Sequence, residues 1–221
     1  MRNPESKFIQ KMGAAGMMPI FYNPDLETSL SLIEVSYEAG IRVIEMVNRG
    51  KEATRIFPEL RKLADQMPGL SLGVGTIYHP WQAEEFVDQG AEFIVAPVMN
   101  PALGKWCMAN DVPWVPGCGT VTEVWEAQEL GAELVKVYPA NVLTPTFVSS
   151  IHAVLPTIEI IPTGGVEPTA ESMKPWFDEG VLLVGMGSQL FDKNLIKNKE
   201  WTELKNRIQT ALALANSFKE I

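Results

Sequence analysis

The 221-residue sequence is short of cysteine, histidine and basic charge, and each shortage excludes something. Cys107 and Cys118, its two cysteines, fit neither a disulfide framework nor a zinc-ligand spacing, so they read as free thiols in a reducing cytoplasm. Two histidines supply no metal-binding cluster. A net charge of −9 and a pI of about 4.8 leave no basic field for nucleic acid or an anionic membrane. No apolar run approaches the roughly 18 residues of a membrane span. The opening "MRNPESKFIQKMGAAGMM" is too polar and interrupted for a secretory leader. A phosphate-bearing ligand would need local donors to hold it against the overall charge.

What is present is a repeat. Short apolar runs alternate with amphipathic stretches from end to end, with strands expected at 17–22, 41–48, 70–77, 92–98, 113–119, 134–140, 158–165 and 181–187. Several are apolar at nearly every position, as strands buried on both faces are. Gly40, Gly90, Gly131 and Gly180 close the intervening helices, and proline opens two of them, in "HPWQAEEF" and "TPTFVSSI". Eight strand–helix units without a linker predict one domain over 1–221, a single-domain α/β (β/α)8 TIM barrel. A doubly wound open sheet is the competitor. It usually carries a glycine-rich turn after its first strand, whereas "MMPIFYNPDLET" has no glycine.

In such barrels the chemistry sits at the C-terminal strand ends. Those ends carry Glu45 and Arg49, Gly75-Thr76, Pro97, Lys136 and Tyr138, Thr163-Gly164-Gly165, and Gly185-Met-Gly-Ser188. Lys136 is the anomaly, an ammonium inside the apolar run "LVKVYPA". Strand parity puts Glu45, Val47 and Arg49 on one face, and strand six lies opposite strand two in an eight-membered ring. Glu45, Pro97 and Lys136 can therefore share an interior layer. A buried structural ion pair is one reading of Glu45 and Lys136. The other is catalytic: desolvation favours a neutral amine, and a neutral amine attacks a ketone to form a Schiff base while a carboxylate moves protons. The glycine-rich turns after strands seven and eight, with the Ser188 hydroxyl, read as an anion cradle.

The motifs "VIEMVNR", "GVGTI", "APV", "PGCGTVTE", "VKVYPA", "PTGGVEP" and "VGMGSQL" occur in the order seen in the 2-keto-3-deoxy-6-phosphogluconate (KDPG) and 4-hydroxy-2-oxoglutarate (KHG) aldolases. The resemblance spans roughly Met18 to Leu190. It implies a class I aldolase that cleaves a 2-keto-4-hydroxy acid, a phosphorylated one in the first instance, to pyruvate and an aldehyde. By position, Lys136 resembles the Schiff-base lysine and Glu45 the general acid/base. Arg49 and Thr76 resemble the groups that hold the pyruvate carboxylate, and Pro97 the residue packed on the pyruvyl group. Thr163 resembles the contact to the C4 hydroxyl, and Gly164, Gly165 and Ser188 the phosphate cradle. The resemblance also implies a homotrimer with no metal or other cofactor.

Departures from the family pattern touch the substrate. After Glu45 this chain has Met46-Val47-Asn48-Arg49 where Val-Thr-Leu-Arg is usual. Pro97 is followed by Val98-Met99-Asn100 in place of Gly-Leu, and Gln189 replaces a common Trp. A C4 epimer or an unphosphorylated keto acid stays open as substrate. A phosphate-binding isomerase or synthase without Schiff-base chemistry, and a non-catalytic scaffold barrel, also stay open. Outside the strand ends, His79 reads as a helix cap or surface residue, His152 as a helix-face residue and Cys118 as a small core thiol.

Overall fold

The computed structural model describes residues 6–219. A six-stranded parallel sheet curls through β5 (Trp114–Val115), β4 (Ile94–Val95), β3 (Ser71–Gly75), β2 (Val43–Val47), β1 (Met17–Phe21) and β9 (Val184–Met186), neighbours in that order. A second parallel sheet orders β6 (Gly117–Cys118), β7 (Leu134–Val137) and β8 (Glu159–Pro162). The two sheets meet at both ends. Thr163 and Gly185 form a parallel bridge beside β8 and β9, the Leu182 N–H donates to the Ile160 carbonyl, and β5 runs into β6 across Pro116.

The expected strand at 113–119 is corrected to two short strands. Pro116 lacks a ladder donor, so pairing stops there and resumes at Gly117, whose partner is Lys136.

The helices return between strands as the repeat predicts. They are α2 (Leu26–Glu38), α3 (Ala53–Ala64), α4 (Pro80–Asp88), α5 (Pro101–Ala109), α6 (Val121–Glu129), α7 (Pro145–Val154), α8 (Ala170–Asp178) and α10 (Trp201–Ser217). Prolines open α4 and α7, and the four helix-ending glycines all adopt positive φ, from 83° to 101°. Asp25, Asn100, Thr120 and Thr169 cap α2, α5, α6 and α8 by accepting from first-turn N–H groups. No helix among the described residues is long and apolar enough to cross a membrane.

Two additions lie outside the repeat. The first, α1 (Lys7–Ala15), packs Phe8, Ile9, Met12 and Ala15 against an inner cluster that includes Met18, Val43, Phe93, Leu134 and Ile161. It closes the N-terminal end of the space the strands surround. The second is the short α9 (Lys193–Lys197), after β9. A larger apolar layer between helices and strands supplies the rest of the core, with Phe57 and Phe86 edge to face at 5.2 Å.

Candidate active site

All nine residues given a role by position line one cavity of about 280 Å³ at the C-terminal end of the strands. They arrive from six strands: Glu45 and Arg49 from β2 and its exit, Thr76 after β3, Pro97 after β4, Lys136 from β7, Thr163, Gly164 and Gly165 after β8, and Ser188 after β9. Ladder register explains the convergence. Glu45 pairs with Ile20 on one side and Gly73 on the other, and Lys136 lies between Gly117 and Ile161.

Glu45 is 1% exposed and Lys136 is 7% exposed. Oε2 of Glu45 has no hydrogen-bond partner. Burial pushes the Glu45 carboxyl above its ordinary range, and the positive charge of Lys136 opposes that without overcoming it. Among the described residues the two form no direct ion pair, so the cavity keeps a carboxylate and an amine facing shared space. The Lys136 ammonium lies 5.3 Å from the centre of the Tyr138 ring. Thr163, 6% exposed, also has a hydroxyl without a partner. Buried polar atoms are normally satisfied, so two orphans in one cavity point to a ligand that completes them.

Two glycines make room for these side chains. A Cβ on Gly75 would lie 1.6 Å from Oε1 of Glu45, and one on Gly185 would lie 2.4 Å from Oγ1 of Thr163. Any larger residue at either position displaces the functional oxygen. Thr76 follows Gly75 with φ 62°, a left-handed conformation that threonine adopts at a cost of about 1–3 kcal/mol and that recurs at functional sites.

At the far rim Gly164 and Gly165 have φ 91° and 90°, so the chain turns tightly beneath Asn141. The N–H groups of Gly165 and Ser188 find no acceptor within the described protein. Arg207 of α10 holds the neighbouring loop by donating to the carbonyls of Gln189 and Leu190 at 2.7 and 3.0 Å.

The cavity also contains Ile20 and Val166, which the strand-end reading does not single out. Ile20 is legible in hindsight as the register partner of Glu45. Val166 has no polar signal at all. The residues set aside stay outside. His79 precedes α4 and is exposed, with Gln82 bonding back to its N–H, and His152 sits on α7. Burial pushes the Cys107 thiol up to about 12, and Cys118 is raised further by burial and by Glu123. Neither behaves as a nucleophile near neutrality.

An amine, a carboxylate and a guanidinium converging at the C-terminal ends of parallel strands are the equipment of an α/β enzyme acting on a small acid. The model of the "KDPG and KHG aldolase" family matches residues 8–207, and this chain belongs to that family. The 2-dehydro-3-deoxy-phosphogluconate aldolase of Dickeya dadantii is 26% identical over 224 residues, covering 98% of this chain and all of that protein. A probable 2-dehydro-3-deoxy-6-phosphogalactonate aldolase of Rhizobium meliloti is 30% identical, covering 75% of this chain and 76% of its own. The KDPG aldolase of Legionella pneumophila, solved with pyruvate captured at low pH as a covalent carbinolamine intermediate, superposes with a TM-score of 0.81. It is 25% identical and covers 94% of this chain and 98% of that one.

Proposed function

We propose that this protein is a carbon–carbon lyase, a class I aldolase that cleaves a 2-keto-3-deoxy-6-phospho sugar acid to pyruvate and glyceraldehyde 3-phosphate. Cleavage of 4-hydroxy-2-oxoglutarate to pyruvate and glyoxylate is a second activity of the same site. The observation that carries the reading is Lys136, buried in a strand and facing the unsatisfied carboxyl of Glu45 in one small cavity. The pyruvate carbinolamine of the Legionella relative supports a covalent route.

Nζ of Lys136, as the neutral amine, attacks C2 of the keto acid. The carbinolamine loses water to give an iminium. Glu45, as carboxylate, removes the C4 hydroxyl proton directly or through one water. The C3–C4 electron pair flows into the iminium, the aldehyde departs, and an enamine of pyruvate remains. Protonation at C3 and hydrolysis return the amine and release pyruvate. Arg49 grips the C1 carboxylate with Thr76, Pro97 packs on the pyruvyl group, and the Thr163 hydroxyl meets the C4 oxygen. The Gly164-Gly165 turn and Ser188 hold the phosphate, with the free N–H groups of Gly165 and Ser188 as donors.

A phosphate-binding isomerase or synthase is not favoured, because the curated relatives are named as aldolases. The architecture in this reading is one domain, a (β/α)8 barrel closed through the Thr163–Gly185 bridge and the continuation of β5 into β6. A homotrimer would cover exposed apolar side chains on the flank of α4 to α6, among them Trp81, Val98, Val121 and Trp125. The two buried free thiols suit a reducing cytoplasm.

The test is borohydride reduction in the presence of pyruvate, followed by peptide mapping. A reduced pyruvyl adduct on Lys136 is the expected product. A folded protein that gives no adduct, yet still turns over the keto acid, sinks the Schiff-base reading.

A further inference from the structure

Beside the catalytic cavity lies a larger one, about 600 Å³, between the exits of β1 and β2 and the short helix α9. The two are neighbours. Ile20, Val47, Arg49, Gly187 and Ser188 line both. The volume falls in the range of small-molecule sites, whereas the catalytic cavity lies just below it. A ligand larger than a short keto acid has to extend somewhere, and this is the adjoining space.

Its charge is the second observation. The whole chain has 27 carboxylates against 18 lysines and arginines. The side pocket reverses that balance: Arg49, Lys193, Lys197 and Lys199 line it, and no carboxylate does. Lys199 bonds Glu27 at 3.2 Å, but Lys193 and Lys197 have no ion-pair partner among the described residues. The nearby acids are engaged elsewhere. Asp25 accepts from the N–H and hydroxyl of Thr28, and Asp192 accepts from the N–H groups of Asn194 and Leu195. The floor is apolar, formed by Phe21, Leu32, Phe191 and Ile196. Carbon stem below and cations above describe a pocket for a chain that ends in an anion.

We propose that the side pocket is a distal subsite of the aldolase, taking the far end of an extended 2-keto acid whose tail carries a carboxylate or a phosphate. The tail passes Gly187 and Ser188 while the keto group stays at Lys136. This rests on the Schiff-base reading above and goes beyond the glycine-rich phosphate cradle: substrate preference extends to longer acids, and Lys193 and Lys197 set it. Val47 lines both spaces and leaves an apolar wall between them.

A series of unbranched 2-keto acids tests this without depending on the aldehyde. Pyruvate, 2-oxoglutarate, 2-oxoadipate, 2-oxosuberate and the uncharged-tail control 2-oxooctanoate are each titrated, and the borohydride-trapped adduct on Lys136 is read by intact mass. The full-length protein should trap 2-oxosuberate at a concentration about 10-fold lower than 2-oxooctanoate, with the advantage shrinking as salt is raised. The double variant Lys193→Glu, Lys197→Glu should abolish or invert that ratio, and Lys193→Gln, Lys197→Gln should reduce it. Normal pyruvate trapping with no charged-tail advantage, or an advantage untouched in both double variants, overturns the subsite alone. Absence of any pyruvate adduct overturns the Schiff-base reading and the subsite with it.

Discussion

Glu92 and Glu45 are carboxylates at opposite ends of the same strands, and the molecule treats them in opposite ways. Near the N-terminal end, Glu92 is met by the Ser71 hydroxyl at 2.6 Å, Arg61 at 2.7 Å and Lys11 at 3.1 Å. Burial alone would raise its pKa, but these three partners outweigh burial and hold it below the ordinary value. Near the C-terminal end, Glu45 is almost fully enclosed, keeps an oxygen without a partner and is pushed up by burial. A satisfied carboxylate ties elements together. An unsatisfied one stores the capacity to bind and to move a proton. One end of the strands therefore carries a satisfied carboxylate that supports stability, and the other the carboxyl to which the proposed chemistry is given.

The largest effect that separates the ends is at Lys136. Lys136→Met should lower kcat for keto-acid cleavage by about 10⁵-fold, the scale on which removing a covalent nucleophile acts, with circular dichroism unchanged. Glu45→Gln should lower kcat by about 10²–10⁴-fold, as loss of a general acid/base does. Next comes Gly75→Ala, which touches no substrate but drives a methyl into Oε1 of Glu45. A loss of about 10²-fold is expected, because misplacing a reacting group by an ångström costs that much. If Gly75→Ala keeps full activity, the carboxylate works from another position than the one described here. The smallest effect on turnover belongs to Glu92→Ala, which should cost about 1–3 kcal/mol in urea unfolding and leave kcat within a fewfold.

Titration sharpens the contrast because the signs differ. Glu92 is lowered from 4.5, so its contribution to stability is present above the unfolded value and lost as pH falls through the folded one. Glu45 is raised from 4.5, so the stability it provides is present at low pH and lost as pH rises through its folded value. At neutral pH Glu45→Gln should therefore unfold at a higher urea midpoint than the parent, and the gap should close as the solution approaches pH 4.5. A gap that widens on acidification would contradict the assignment. A protein made more stable by losing this buried carboxyl would be the clearest sign that Glu45 is kept at a cost to stability.

Much of this was legible before any coordinates. Lys136 announces itself because an ammonium in an apolar strand has no ordinary reason to be there. Glu45 and Arg49 follow from alternation along one strand, and Thr163, Gly164, Gly165 and Ser188 from punctuation at strand ends. The break at Pro116 was also written in the chain, since a proline cannot continue a ladder, yet the expected strand ran through it. The plug formed by α1 was missed although Phe8, Ile9, Met12 and Ala15 share a helical stripe. The side pocket had no local signal. Tyr22 and Lys193 line it together from positions 171 residues apart.

The sequence by itself determined the order of strands and helices, the polar residues at their ends and the lone lysine in an apolar strand. Those follow from periodicities of two and 3.6 residues and from turn chemistry, which act over short stretches of chain. Tertiary structure alone decided which carboxylate is satisfied. Arg61, Ser71 and Lys11 reach Glu92 from 31, 21 and 81 residues away, while nothing but Lys136, across the cavity, offsets the burial of Glu45. Solvation and pairing depend on what packs around a group, and packing brings together parts of the chain that local sequence cannot see.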